Sequence, residues 1–356
     1  MRTAPILLTI VLVLFQEIIF KILKPSFSKF SNTTNAKFSN TSHLRLLNTS
    51  TLSALAENRF PSHGMKSTFP SSGVNSRVSL TSFLPWINSI RSASVKTSVY
   101  FSISDSKYSG RFEEIIERSA PLGFPNAAFA MIAFDEDTYT YFRSRNVPTL
   151  LMDDSRIPIM KRVMNAKFMG TLALLLAGYD VYFGEMDVYW RKKIPHEYFS
   201  GSNEFVVSEH NYHPEINIGF FYCRPTPRMI ETMERVMSFL LFPGHAEPEN
   251  IAFDQKIFDL AVRGPVESQQ LTVGSLSNIL NETEKELLSP LPGHHLNWRY
   301  LPYAVLSHSL HHGDGSHFDL NSETLAGVHV WSGFGPPSEQ IAWALSCFTF
   351  GKLGPC

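Results

Sequence analysis

Three cysteines in 356 residues, Cys223, Cys347 and Cys356, are too few for a disulfide framework, so the fold must rest on buried apolar surface. A Cys347–Cys356 bridge and free or buried thiols both stay open. Nor is there an excess of charge: 31 basic side chains against 32 acidic ones exclude the electrostatic footprint of a nucleic-acid binder. No internal repeat argues for a solenoid, and no H-E-x-x-H signature argues for a zinc hydrolase. Apolar residues are plentiful, at 44% with 28 Phe, which is enough for a large core in one large or two ordinary domains.

The one long hydrophobic run lies at the N-terminus. After a short tail, residues 1–5, Ile6 to Phe15 is apolar except for Thr9, and Gln16-Glu17 is followed by Ile18-Ile19-Phe20. Counted to Leu23 the run suffices for a membrane-spanning helix, and residues 6–23 are read as a signal-anchor. A cleaved signal peptide and a buried helix are the alternatives. Lys21, Lys24 and Lys29 follow the run and only Arg2 precedes it, which by the positive-inside rule favours a cytosolic C-terminal side. The next segment points the other way. Residues 24–94 are rich in Ser, Thr and Asn, as expected of a disordered stem, and carry glycosylation sequons at Asn32, Asn40 and Asn48, with a fourth further on at Asn281. Behind an apolar anchor these favour a lumenal stem.

From Val95 to the end, strand and helix patterns alternate. Val95–Ser104, Ala127–Phe134, Pro148–Met152, Glu204–Ser208 and Asn217–Cys223 read as strands. Gly110–Ser119, Arg162–Ala177 and Thr226–Leu241 read as helices, the second stopped by Gly178. The alternation predicts an α/β domain with a mostly parallel sheet flanked by helices, in which ligands bind beyond the carboxyl ends of the strands.

The stretch YDVYFGEMDVYW, Tyr179–Trp190, reads as an apolar strand carrying Glu185 and Asp187 near its far end. Acids at i and i+2 of an extended chain face the same side, so both carboxylates can converge on one cation. Oxygen ligands of this kind suit Mn²⁺ or Mg²⁺, whose remaining positions take phosphate oxygens and water.

Four stretches together resemble the GT-A nucleotide-diphospho-sugar transferases, Golgi-type glycosyltransferases related to plant cell-wall arabinosyl- and xylosyltransferases. They are the helix and strand from Lys167 through Glu185-Met-Asp187 to Trp190, Asn217-Ile-Gly219-Phe-Phe-Tyr-Cys-Arg224-Pro-Thr226, Asp254-Gln255, and His329-Val-Trp-Ser-Gly-Phe-Gly. The likeness covers about Val95 to Leu345. It departs from the family at Glu185, where relatives carry Asp in a DxD motif, and at Pro336-Pro337-Ser338-Glu339, where relatives carry a Lys.

The resemblance implies a GT-A (Rossmann-like) catalytic domain over residues 95–356. It implies transfer of a sugar from a nucleotide diphosphate, a UDP-sugar by expectation, to a glycan or glycoprotein acceptor with retention. Glu185, Asp187 and His329 would hold Mn²⁺ or Mg²⁺. Asp187, Asn217 and Asp254 are the implied catalytic residues, the last two contacting the donor sugar. Lys167, Gly219, Ser102 and Ser104 are the candidates for nucleotide and diphosphate contact. The residues alone leave other roles open: a solvated helix charge for Lys167, a strand cap for Asn217 and a helix cap for Asp254. Arg224 and Arg228, near a helix start, read as phosphate contacts or surface charges. The expected location is the Golgi membrane, single-pass type II, with the catalytic domain lumenal. Seven of the 13 His fall between His294 and His329, so a lumenal His-rich metal-dependent hydrolase is the competing enzyme, and an inactive glycan-binding relative the competing binder.

Overall fold

The computed structural model describes residues 80–106, 112–154, 159–209, 216–241, 252–264, 288–290, 293–309 and 323–330, with the short strand pair 348–349 and 352–353. The expected anchor, the sequons, Cys347, Cys356, His311, His312, His317 and the Pro336–Glu339 departure lie outside the described residues. Among the described residues, no helix is long and apolar enough to cross a membrane.

The helices are α1 (Leu84–Ala93), α2 (Phe112–Gly123), α3 (Glu136–Ser144), α4 (Ile159–Leu176), α5 (Pro227–Leu241) and α6 (Ala252–Arg263). The main strands are β1 (Ser98–Ser104), β2 (Ala128–Ala133), β3 (Thr149–Leu151), β4 (Asp180–Gly184), β5 (Val188–Trp190), β6 (Phe205–Glu209), β7 (Ile216–Cys223), β8 (Trp298–Leu301), β9 (Leu306–Ser309) and β10 (Gly327–Val330). Seven of the strands form one sheet in the order β3-β2-β1-β4-β7-β6-β8. All run parallel except β7, which is antiparallel to β4 and β6. The expected α/β architecture with a mostly parallel sheet is what the chain adopts.

The period-2 alternation of the strands divides the core. Val99, Phe101, Val181, Phe183 and Phe221 face α1, α4, α5 and α6. Tyr100, Tyr182, Phe220 and Tyr222 face the opposite way, toward Phe124 and Trp190. Helix α4 is apolar on nearly all sides because it is buried on nearly all sides. Gly178, at φ 87°, stops it. Its N–H bonds Leu175 O at 3.0 Å and the next N–H, of Tyr179, bonds Leu174 O at 3.1 Å, the paired contacts of a Schellman ending.

Two expectations need correction. Residues 80–93 do not belong to a structureless stem: Phe83, Trp86, Ile87 and Ile90 pack in the core. Trp86 donates to Pro148 O at 3.2 Å and meets Phe101 edge-on. Six large apolar residues, Leu80, Phe83, Leu84, Trp86, Ile87 and Ile90, carry this segment, and the Ser-rich background before it hides their helical spacing. Second, Tyr179–Trp190 is not one strand. The chain turns at Glu185-Met186-Asp187, closed by the Val188 N–H on Glu185 O at 3.0 Å, and β5 leaves for a separate sheet, β5-β10-β9.

Candidate metal centre at the β4–β5 turn

The turn sits at the carboxyl end of β4, as expected of a functional acid pair, but the convergence of its acids is not that of an extended strand. Glu185 and Asp187 are brought together by the turn and by what crosses it. The antiparallel register of β5 with β10 pairs Val188 with His329, which sets that histidine beside Asp187 although 142 positions separate them. His329 Nε2 lies 3.3 Å from Asp187 Oδ1 and 3.9 Å from Glu185 Oε2.

Gly219 is the seat of this arrangement. A β-carbon there would lie 2.2 Å from His329 Cε1 and 2.8 Å from Nε2, so only glycine lets the imidazole rest on β7. The Gly219 N–H donates to Asn217 Oδ1 at 2.9 Å, and its carbonyl accepts the Glu185 N–H at 2.8 Å. One residue therefore fixes the backbone of one acid and the ring of the histidine. The chain is free to do this because β7 slips its register against β6 between Val207 and Ser208. The Ser208 hydroxyl fills in with a bond to Asn217 O at 2.8 Å.

The far side of the turn is fixed as well. Trp190 donates from Nε1 to the Tyr100 hydroxyl at 3.2 Å. Its ring lies where β-carbons on Gly123 and Gly327 would come to 2.7 Å and 2.5 Å. Gly184 has the same constraint against the Tyr100 hydroxyl, 1.9 Å from where its β-carbon would be. Burial pushes the Tyr100 phenol up, with the Asp187 charge adding to it. None of Tyr100, Trp190, Gly123, Gly184 and Gly327 stands out in the sequence as part of a site. Gly184 immediately before the acids was the available signal.

The other expected residues divide. Lys167 is not a solvated helix charge: its side chain is 3% exposed, and its ammonium bonds Glu185 Oε1 at 2.6 Å and Asp254 Oδ2 at 3.1 Å. Burial disfavours that ammonium, but Asp254 and Glu185 more than compensate and hold its pKa above the usual lysine value. Asp254, in the first turn of α6, also accepts the Gln255 N–H at 2.8 Å. Asn217 is buried, with its oxygen on Gly219. Ser102 and Ser104 are fully buried in β1, Ser104 within 3.4 Å of Asp105 O. Arg224 donates to Gly201 O and Phe199 O, and Arg228 pairs with Glu204, so both have structural partners in place of a phosphate. Among the clustered histidines, His294 pairs with Glu231 at 2.8 Å.

The residues fit a divalent cation. One donor atom each from Glu185, Asp187 and His329 lies within 4.8 Å of the others. Ligands around an ion at about 2.1 Å stand about 3 Å apart when adjacent and about 4.2 Å apart when opposite. Asp187 Oδ1 is buried without a well-formed hydrogen bond, while the Glu185 and Asp187 side chains are 29% and 20% exposed, which leaves an approach from solvent. Two carboxylates with one imidazole suit Mn²⁺ or Mg²⁺ better than a soft thiophilic metal. Burial works against protonated His329, yet Asp187 and then Glu185 raise its pKa above the ordinary value, with Lys167 opposing. Concentrated negative charge of this kind favours any cation, proton or metal.

The family model described as nucleotide-diphospho-sugar transferase matches residues 127–329, more than half the chain. That span includes the turn and ends on His329. No curated protein matches the sequence. Among solved structures, the chain is similar to the apo glycosyltransferase GlyE of Streptococcus pneumoniae TIGR4, at 15% identity over 47% of this chain and 44% of that one, TM-score 0.35. It is also similar to a glycosyltransferase involved in glycosylation of the major capsid of PBCV-1, at 11% identity over 69% and 99%, TM-score 0.36. A third is mouse xyloside xylosyltransferase 1, at 7% identity over 66% and 98%, TM-score 0.35. The chain spans less than half the length of the first of these.

Proposed function

Since this chain belongs to the nucleotide-diphospho-sugar transferase family, we propose that it is a metal-dependent glycosyltransferase using a nucleotide-diphosphate sugar, of UDP type. The observation that carries the reading is the convergence of Glu185, Asp187 and His329 at the carboxyl end of β4. These three would hold Mn²⁺ or Mg²⁺. A divalent cation bound there neutralises the charge that grows on the diphosphate as the glycosidic bond breaks.

The chain's own residues do the rest of the work. Gly219 and Asn217 keep the imidazole and the acid turn in register, and the Tyr100–Trp190 bond keeps β5 from drifting. Preorganised groups of this kind cost no rearrangement when charge develops. Asp254 lies one ammonium away from Glu185 and closes the wall beside the turn. Retention, with leaving and attacking groups on one face of the sugar, follows the family resemblance. The acceptor is a glycan or glycoprotein. Residues 6–23 anchor the chain as a type II Golgi membrane protein with its catalytic domain in the lumen, a reading supported by the three stem sequons.

The full chain should be purified and screened against UDP- and GDP-sugars with and without Mn²⁺. Hydrolysis of one donor, or its transfer to an acceptor, that requires Mn²⁺ is the expected result. Equal rates with a chelator present, or no turnover of any donor, would refute the proposal.

A further inference from the structure

Glu185 faces two ways. Its Oε1 is 2.6 Å from the Lys167 ammonium, deep against α4, while its Oε2 points to the cluster, 3.9 Å from His329 Nε2. Lys167 is itself held from behind by Asp254 Oδ2 at 3.1 Å, and the other oxygen of Asp254 takes the Gln255 N–H. The main chain at Glu185 has no freedom to adjust, because its N–H is bound to Gly219 O and its carbonyl to the Val188 N–H. Reaching both Lys167 and the cluster is therefore a matter of side-chain length. An aspartate at this position, shorter by one carbon–carbon bond of about 1.5 Å, would have to give up one of the two contacts.

We propose that Lys167 is a positioning residue that holds Glu185 so that one oxygen, Oε2, joins Asp187 and His329, and that the extra methylene of Glu185 serves this double contact. Lys167 is then committed to the two carboxylates and does not serve the diphosphate. The substitution of Glu for Asp is thereby matched to a buried lysine and is no sign of a decayed site. The inference rests on the metal-dependent reading above.

The test uses the full chain, with Mn²⁺ alone as the probe in titration calorimetry. K167M by itself would strand Asp254 as a buried, unpaired charge, so the informative variant is K167M/D254N, which removes one positive and one negative charge together. Electrostatics alone predicts unchanged or somewhat tighter Mn²⁺ binding for that variant, because the positive charge removed is the nearer to the cluster. Loss of positioning predicts a Kd raised roughly tenfold, the lower end of what outer-sphere partners of metal ligands contribute. E185D should weaken binding to a similar degree, and E185D/K167R, with a longer cationic side chain, should recover most of it. K167M/D254N or E185D binding Mn²⁺ at least as tightly as the wild type does would overturn the proposal, and so would a double variant E185D/K167R no better than E185D.

Wild-type chain that binds no Mn²⁺ would instead refute the metal-dependent reading. Metal-free melting then decides the pairing: E185Q should lower Tm by about 2–4 °C in the wild-type background and not in K167M/D254N. Equal losses in both backgrounds would overturn it.

Discussion

Strand β4 has a carboxylate at each end, and the two ends treat theirs differently. At the amino end, Asp180 accepts the Tyr222 hydroxyl at 3.2 Å, with the Arg224 guanidinium close behind. Burial still raises its pKa, with Arg224, Tyr222 and His196 pulling the other way. The Tyr222 ring that carries this hydroxyl packs against Tyr182, with centroids 4.9 Å apart. At the carboxyl end, Glu185 is bound through Oε1 to the Lys167 ammonium, but its Oε2 and Asp187 face a histidine and solvent, and Asp187 Oδ1 has no well-formed donor. An acid answered by fixed hydroxyl and guanidinium donors is a structural element. An acid pair whose partners leave room for one more positive charge is a site.

The contrast breaks most sharply under D187N. Turnover of the donor sugar in the presence of Mn²⁺ should fall on the order of 10²–10³-fold, the scale of losing a transition-state charge stabiliser. D180N in the same assay should stay within about twofold of wild type. Comparable losses in both would erase the distinction between the two ends.

G219A comes next. Its methyl has no space beneath the His329 ring, so the imidazole must lift and Mn²⁺ affinity should drop about 10–100-fold. Circular dichroism should show the fold retained, because the nearest atoms that must move belong to the His329 side chain and not to a backbone.

Acidity gives a graded effect. His329 has a folded-state pKa above its unfolded value, so in metal-free protein its ion pair contributes stability that is full below about pH 6.5 and lost as pH rises through the raised value. Bound Mn²⁺ needs the unprotonated ring and competes with that proton. Manganese affinity measured by electron paramagnetic resonance should therefore weaken as pH falls from 8 to 6, by up to about tenfold per unit below the His329 pKa. H329Q should bind weakly with a flatter profile.

The smallest effect belongs to the closed end. Asp180 has its pKa raised, so its charged form is disfavoured by folding and its contribution is best when protonated. D180N keeps an acceptor for Tyr222 without the charge. It should raise stability at pH 7 by no more than about 1 kcal/mol, with the gain fading as pH falls toward 4. Differential scanning calorimetry at both pH values reads this directly. A large loss at pH 7 would mean that Asp180 is held by its ion pair after all.

Much of this was legible in the sequence because the strands and helices of the sheet are strongly patterned. The boundaries of β1, β2, β3, β6, β7, α4 and α5 fall within a few residues of their expected positions, and Gly178 stops α4 for the reason its chemistry suggests. Helix α3 was missed because Glu136–Ser144 has few apolar residues, and its start depends on the side chain of Asp135 accepting the Thr138 N–H. The acid pair is legible from residue type and spacing and His329 through the family resemblance, but the turn between β4 and β5 is not. A run of β-branched and aromatic residues reads as one strand whether or not it changes sheets. The contact of Lys167 with Asp254 is not legible, since a helix charge shows its burial only when the fold brings α6 against it. Asn217 and Gly219 were expected on the ligand. Their observed partners are each other and the His329 ring, a contact made across strands that no local pattern encodes.

The central claim is that Glu185, Asp187 and His329 together hold one divalent ion. Titration calorimetry of metal-stripped full chain with MnCl₂ tests it most directly. One ion per chain, with that binding lost in both D187N and H329A while each variant stays folded, is the predicted result. An undiminished isotherm in either variant would contradict it.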